Sequence, residues 1–315
     1  ILLPSALAFA EGGAGRPPPL SERVDALVAK AEGLASKTAW LRLGHYRERA
    51  FGGHESEVDG PTFFLASGGK HDPAAELVAT IRAFYAPVPR DRPDQHAICR
   101  FPARLAWLAQ AGALALGELP EVRCTKLGEF IGRLKPVAVT LVFSSYYLNN
   151  PASAFGHTFL RVDNAEALAG RGKRDLLHYG VDYAATADER NAVLYAMKGL
   201  LGFFKGQFNA MPYYYKVREY NDFESRDLWE YELALAPAQV GLLVTHLWEL
   251  GQSYIDYYYL DENCSYHILG VLEVVRPDEA LVAALRIPVL PADTVKIANE
   301  SPGLVKGVKF RPSIR

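Results

Sequence analysis

The chain has 315 residues, 50% of them hydrophobic and 22% charged, and a formal net charge of -2. These values are typical of a folded globular protein that is long enough for one large domain or two ordinary ones. The charge balance gives no electrostatic basis for binding nucleic acid, because Lys and Arg occur only as scattered residues and pairs.

The first ten residues, ILLPSALAFA, predict the compartment. They are typical of the end of a signal-peptide hydrophobic region followed by the small-x-small site Ala8-Phe9-Ala10, with cleavage expected before Glu11. We therefore expect export, and we assign residues 1–20 to a signal-peptide remnant and a Gly/Pro-rich flexible lead-in. No later stretch reaches the roughly 18 continuous apolar residues of a spanning helix, which predicts a soluble or peripheral protein.

Residues 21–135 have mainly helical periodicity and are predicted to form an accessory helical region. Ser21 is the expected N-cap of the first helix. Further helices are predicted over 74–85, 102–114 and 124–134. The polar loop between the first helices carries the short predicted strand 63–65.

The period changes to that of extended chain after Pro136. Strands are predicted at 137–147, 158–162, 176–183, 213–220, 228–234 and 254–259, and helices at 188–201, 237–251 and from Cys264 onward. Helices followed by a mixed, mainly antiparallel sheet predict an α+β fold. We expect a catalytic domain over 136–300 and a C-terminal extension over 301–315 that is cut from a longer protein.

Cys264 lies where the predicted strand 254–259, which is rich in tyrosine, gives way to the predicted apolar helix that follows it. A helix N-terminus presents free N–H groups and about half a positive charge, which stabilise a thiolate. A thiol with a pKa near 8.5 is only about 3% ionised at pH 7, whereas one lowered to roughly 6 is about 90% ionised. The position therefore predicts a nucleophilic cysteine.

Three cysteines in an exported protein make an odd count. The economical arrangement is a disulfide between Cys99 and Cys124, which flank one helical hairpin, with Cys264 free. The alternative is that all three cysteines are reduced and buried.

A nucleophilic cysteine needs a base and a group that orients the base. His157 follows Gly156 at a strand entrance, and His178 lies on the next predicted strand, so we expect their imidazoles side by side as base and orienter. The alternative for each is a half-buried packing histidine. His267, one helical turn after Cys264, either lines the same cleft or has a cap or surface role.

Two further residues are candidates for holding the oxyanion. Asn263 either caps the helix or adds a donor, and Tyr147, at the end of its strand, either donates to the oxyanion or packs in the core. The remaining histidines are interpreted as structural: His45, His54, His71, His96 and His246.

Three motifs resemble a known family. The runs SSYYLNNPASAFGHTFLRVD, LLHYGVDYA and LDENCSYHILGVLE are similar to the Lnb N-terminal periplasmic domain family. That family resembles the circularly permuted papain-like fold of lecithin-retinol acyltransferase and NlpC-type peptidases. Upstream, CRFPARLAWL and FFLASGGKHDPAAELVATI are similar to the helical region that often precedes the domain, so the resemblance covers most of residues 25–300.

The resemblance implies a periplasmic thiol acyltransferase with a permuted papain-like catalytic domain. Its expected acyl donor is membrane phospholipid, its acceptor the terminal amine of a bacterial lipoprotein, and its contact with the membrane peripheral; no cofactor or metal is implied. Cys264 carries over as nucleophile, His157 as general base and His178 as the third polar group. Acyltransferase relatives carry Asn-Cys-Glu-His, whereas two residues separate Cys264 from His267 here, so a role for His267 does not transfer.

Three alternatives stay open at this point. The same Cys–His dyad could hydrolyse cell-wall peptide as an amidase or peptidase. A zinc site could use Cys264, His267, His157 and His178. A non-catalytic periplasmic module could dock an outer-membrane partner through its helical half.

Overall fold

The structure is a computed structural model that describes residues 18–147, 155–169, 177–186, 199 and 201–313. Its α-helices are α1 (Leu20–Ala31), α2 (Thr38–Leu43), α3 (Pro73–Phe84), α4 (Ala97–Arg100), α5 (Pro102–Gln110), α6 (Thr125–Leu134), α7 (Ala165–Ala169), α8 (Tyr213–Val217), α9 (Pro237–Leu250), α10 (Cys264–Val275) and α11 (Pro291–Glu300). Its strands are β1 (Tyr46–Glu48), β2 (His54–Ser56), β3 (Pro136–Ser144), β4 (His157–Asn164), β5 (Tyr179–Thr186), β6 (Phe204–Pro212), β7 (Leu228–Leu233), β8 (Ile255–Tyr257) and β9 (Val305–Arg311).

Seven strands form one sheet in the order β8-β6-β5-β4-β3-β7-β9, and every neighbouring pair is antiparallel. The separate hairpin β1-β2 lies in the N-terminal region. Helices cluster before this sheet and within its later connections, so the predicted α+β fold is confirmed. The register between β3 and β4 places Ser144 opposite His157 at one end of the sheet.

One hydrophobic core joins the N-terminal helices to the sheet. Trp40 and Ile81 of the helices belong to the same buried cluster as Leu141 of β3 and Ile268 of α10. Helix α10 is central to this cluster, because its residues are buried on every face and it contacts both β4 and α2. The predicted division of the chain at residues 20, 135 and 300 stays a prediction, but the two regions share their packing.

The predicted strand 213–220 is wrong. Residues Tyr213–Val217 form α8 and Arg218–Phe223 continue it as a π-helix. Tyr213 and Tyr220 turn inward to cover one face of the sheet, and the Tyr213 hydroxyl donates to Glu230 Oε1 at 2.8 Å. The aromatic residues of 213–220 therefore belong to a helix that packs on the sheet, not to a strand within it.

Two smaller expectations also change. Phe63 closes a 3-10 helix, Pro61–Phe63, where a strand was predicted. Strand β6 was not predicted, although Phe204 and Phe208 are buried and Lys205 and Gln207 between them are exposed. This alternation is the ordinary signature of a half-buried strand.

The disulfide between Cys99 and Cys124 is present, and Cys264 is a free, buried thiol, as predicted. The expected signal segment, residues 1–10, lies outside the described residues, as does nearly all of the predicted helix 188–201. Across the described ranges no helix combines the length and apolar character that crossing a bilayer requires.

Candidate active site

Asn263 fixes the turn that presents Cys264. Its Oδ1 accepts a hydrogen bond from the Ser265 N–H at 3.0 Å, which makes it the N-cap of α10. Its amide nitrogen donates to the carbonyl oxygens of Tyr259, at 3.1 Å, and Val289, at 2.9 Å. Both amide protons are therefore used within the fold. The geometry supports the capping role of Asn263, and it leaves no donor for an oxyanion.

Gly156 shapes the strand entrance from which His157 projects. Its φ is +98°, and a Cβ at this position would lie 2.7 Å from the Ser144 carbonyl oxygen and 2.8 Å from Phe143 Cε2. Only glycine accepts both the left-handed backbone and the close approach. The imidazole of His157 then packs beside Phe159 and Tyr220, with ring centroids 6.0 and 6.1 Å away.

The Cys264 thiol is in hydrogen-bonding contact with the His157 imidazole. Burial raises the pKa of this thiol, but the charge and hydrogen bond of His157 and the donors of Thr158 outweigh burial and lower it to about 7. At neutral pH about half of the thiol is therefore ionised, against a few per cent for an ordinary cysteine. Cys264 and His157 thus form the predicted pair.

Thr158 is a site residue that the sequence analysis missed. Its backbone N–H and its hydroxyl both stabilise the Cys264 thiolate, and the hydroxyl lies 3.4 Å from Ser265 Oγ. Strand alternation could have identified it. Successive side chains of a strand face opposite sides, so Thr158, the residue after His157, faces the side of the sheet on which α10 packs.

His178 does not lie behind His157, so its predicted position is wrong. The register of β4 with β5 pairs Val162 with Tyr179 and sets His178 level with Asp163. That is six residues from His157, roughly 20 Å along the strand. In an antiparallel pair the start of one strand faces the end of the next. His157 begins β4 and His178 lies just before the start of β5, so the two lie at opposite ends of the strand pair. Its Nδ1 accepts from the Asn164 N–H at 3.0 Å and lies 3.4 Å from Asp163 Oδ1.

His267 faces the protein interior. It is fully buried, with its ring 4.4 Å from that of Tyr183, and burial lowers its pKa to about 3, so it is neutral. By the hydrogen-bond geometry, neither ring nitrogen has a partner among the described residues. Because α10 is buried all round, neither the cleft-lining role nor the cap or surface role predicted for His267 is correct.

A narrow, mostly apolar cleft opens beside Cys264. Its walls are formed by Phe155, Gly156, Tyr257, Tyr259, Leu260, Asn263 and the segment 288–291. The cavity volume is about 20 Å³, comparable to the space one water occupies. Phe155, Leu260 and Ile287 at or beside the rim are 53%, 40% and 73% exposed. Tyr147, half-buried three residues beyond β3, keeps its oxyanion role as a prediction.

A larger charged cavity of about 490 Å³ lies on the other side of the segment 256–262. Asp256 and Tyr258 line it, whereas Tyr257 and Tyr259 line the cleft of Cys264, so the segment separates the two spaces. Burial, and after it the neighbouring carboxylates, raise the pKa of Glu262 in this cavity to about 8. The charged cavity therefore lies apart from the thiol.

The ligand set of the zinc alternative does not converge. His178 and His267 both lie away from the Cys264–His157 pair, and within the described ranges no three or more His, Cys, Asp or Glu side chains are grouped to hold a metal ion. The partner that the structure gives the thiol is the His157 imidazole.

Comparisons with known proteins identify the family. The family model described as the Lnb N-terminal periplasmic domain matches residues 128–301, which is more than half of the chain and runs from within α6 to the end of α11. A second model, a domain of unknown function (DUF7843), matches residues 32–111 in the helical region. No curated protein and no solved structure matches significantly. The chain therefore belongs to the Lnb N-terminal periplasmic domain family and is a periplasmic protein.

Proposed function

We propose that this protein is a thiol acyltransferase that moves a fatty acyl group from membrane phospholipid, through a Cys264 thioester, to the N-terminal amine of a bacterial lipoprotein. The observation that carries the proposal is the contact between the Cys264 thiol and the His157 imidazole at the start of α10, beside an apolar cleft. The family resemblance of the surrounding motifs supplies the substrate classes.

In the first half-reaction the Cys264 thiolate attacks the ester carbonyl carbon of the lipid. The negative charge that develops on the carbonyl oxygen is stabilised by backbone N–H groups at the helix start, whose dipole favours an anion. When the carbon–oxygen bond breaks, the imidazolium of His157 gives its proton to the departing alkoxide. The products are a lysophospholipid, a Cys264 thioester and a neutral imidazole.

In the second half-reaction the lipoprotein amine attacks the thioester carbon. His157, now neutral, accepts the proton that the amine loses as the carbon–nitrogen bond forms. The carbon–sulfur bond then breaks, which releases the N-acylated product and restores the thiolate–imidazolium pair. Thiol and imidazole suffice for both steps, so the proposal includes no cofactor.

The surroundings of the cleft support a lipid substrate and a peripheral membrane contact. The walls are largely aromatic and aliphatic, and the exposed rim residues Phe155, Leu260 and Ile287 present apolar surface next to the thiol. Exposed apolar groups at the mouth of a site are typical of proteins that meet another apolar surface. The cleft as it stands is narrow, so an acyl chain would enter by parting its walls.

Intact-protein mass spectrometry tests the proposal. Purified protein is incubated with phospholipid vesicles, and we expect a mass increase of one fatty acyl group that hydroxylamine removes, as it does for thioesters. Addition of a synthetic diacylglyceryl-cysteine peptide should discharge the adduct and produce N-acylated peptide. The Cys264→Ala variant should form no adduct, and the Gly68→Ala variant, at an open glycine, serves as the matched control.

Other outcomes distinguish the alternatives. A peptidyl adduct formed from cell-wall fragments, with none from lipid, would identify a hydrolase that uses the same dyad. An unmodified Cys264 under every condition, together with full cellular function of Cys264→Ala, would identify a non-catalytic periplasmic module.

A further inference from the structure

His157 shares one face of the sheet with a buried acidic residue of the neighbouring strand. The register of β4 with β5 pairs Leu160 with Val181, and one more step sets Asp182 level with Phe159. Because side chains alternate along a strand, His157, Phe159 and Asp182 point to the same face. Asp182 is therefore the diagonal neighbour of His157.

Among the described residues, one of the two carboxylate oxygens of Asp182 has a partner and the other has none. The residue is only 3% exposed, and its Oδ2 forms an ion pair with Lys216 Nζ at 2.7 Å. Within the part of the chain that the structure describes, no hydrogen bond reaches its Oδ1. Buried polar atoms are nearly always hydrogen-bonded, so an acceptor left open beside a candidate site calls for a donor.

Tyr220 packs beside His157 and reaches Lys216, the ion-pair partner of Asp182. Its ring centroid is 6.1 Å from that of His157, and its hydroxyl lies 3.5 Å from Lys216 Nζ. Asp182 also acts on Tyr220, whose pKa is raised by burial and by nearby carboxylates. Asp182, Lys216, Tyr220 and His157 thus form one contiguous group.

The other charged side chains on this face are already paired. The Arg226 guanidinium lies over the Tyr220 ring and donates to Ser144 Oγ, opposite His157, but its charge is balanced by Glu224 at 2.9 Å. Lys216 is balanced by Asp182, at 2.7 Å, and by Glu219, at 3.4 Å. Among the described charged side chains on this face, Asp182 Oδ1 is therefore an open acceptor for an imidazole N–H.

We infer that Asp182 is the positioning residue for His157, accepting a hydrogen bond from the imidazole nitrogen that faces away from Cys264, directly or through one water. Diagonal side chains on adjacent strands have Cβ atoms about 7–8 Å apart, a gap that an imidazole and a carboxylate can close. Asp182 thereby takes the role that the sequence assigned to His178. The inference rests on the proposed Cys264–His157 pair.

The role has a specific electrostatic consequence. A carboxylate beside the imidazole stabilises its protonated form and fixes which nitrogen carries the proton. Removing the carboxylate should let the imidazolium lose its proton at lower pH. Removing Lys216 takes away a positive charge that offsets the carboxylate, so the imidazolium should keep its proton to higher pH. An ion pair that only held the fold, too far from the imidazole to act on its charge, would give the same change, or none, for both removals.

Alkylation of Cys264 by two reagents provides the test. Iodoacetate is an anion that the imidazolium attracts, so its rate falls once His157 loses its proton, whereas the rate with neutral iodoacetamide follows the thiolate alone. The ratio of the two rates against pH therefore reports the imidazolium. For Asp182→Asn we expect the alkaline fall of this ratio to move down by about half to one pH unit. For Lys216→Gln we expect it to move up.

A third variant keeps the test decisive if Asp182→Asn is too unstable to purify, since that substitution removes the closer counter-ion of the buried Lys216 and leaves Glu219, at 3.4 Å, as its partner. The double variant Asp182→Asn with Lys216→Gln removes both charges, and its ratio should fall at lower pH than that of Lys216→Gln alone. Equal profiles for these two proteins, or shifts in one direction for both single variants, would overturn the inference. If wild-type Cys264 instead reacts as an ordinary thiol with both reagents, the proposed pair itself fails.

Discussion

Replacing Asn263 by alanine tests how the turn before Cys264 is held. The substitution removes the N-cap of α10, which costs about 1 kcal/mol. It also removes the donors of the Tyr259 and Val289 carbonyls, at about 1 kcal/mol each. The free energy of unfolding should therefore fall by about 3 kcal/mol.

The expected change in melting temperature follows from the size of the chain. An unfolding entropy of about 2.1 cal/mol/K per residue gives about 0.66 kcal/mol/K for this chain, so about 3 kcal/mol corresponds to a fall of about 4–5 °C. Differential scanning calorimetry measures this directly. Asn263→Ser keeps a capping oxygen and should lie between the alanine variant and the wild type.

Two results would refute this reasoning. If Asn263→Ala melts within 1 °C of the wild type, the side chain does not hold the turn. If the serine and alanine variants lose equal stability, the cap contributes nothing and only the carbonyl contacts matter.

Three further predictions concern the strand entrance at Gly156, the position of His178 and the state of the cysteines. Gly156→Ala should lose the low thiol pKa of Cys264 and melt at lower temperature, because its Cβ meets the Ser144 carbonyl; Gly68→Ala, with open space around it, should match the wild type in alkylation and calorimetry. His178→Gln should lower the melting temperature and leave the alkylation pH profile unchanged, and a shifted profile would contradict the register given above. Without reductant, mass spectrometry should count one alkylated cysteine, Cys264, and after denaturing reduction three; more than one label before reduction would contradict the disulfide.

Local signals in the sequence were sufficient to single out Cys264 and His157, which the structure brings into contact. Cys264 follows a capping residue at the start of an apolar helix, and His157 follows a glycine that the structure shows to be required at its φ of +98°. Each prediction depended on residues adjacent in the chain. The antiparallel sheet around them was predictable in part, because β6 and β9 were not among the predicted strands and the predicted strand 213–220 is helical.

The third polar group could not be placed in the same way, because strand register is a long-range property. His178 and Asp182 lie on the same face of the same strand region, and only the pairing of β5 with β4 decides which one comes near His157. His267 was misassigned for a related reason. Its exposure depends on how many elements surround α10, and the N-terminal helices that cover this helix are distant in sequence.

The pH dependence of Cys264 alkylation in the wild type and in His157→Ala tests the central claim most directly. With iodoacetamide, the wild-type rate should rise with a midpoint near pH 7, where burial is outweighed by His157 and Thr158. In His157→Ala the midpoint should move above about 8.5, the pKa of an ordinary thiol. Burial raises the thiol pKa, and the imidazole that mainly offsets this effect is then absent. A wild-type midpoint already above 8.5, or the same midpoint in both proteins, would contradict the account of Cys264 as a nucleophile activated by His157.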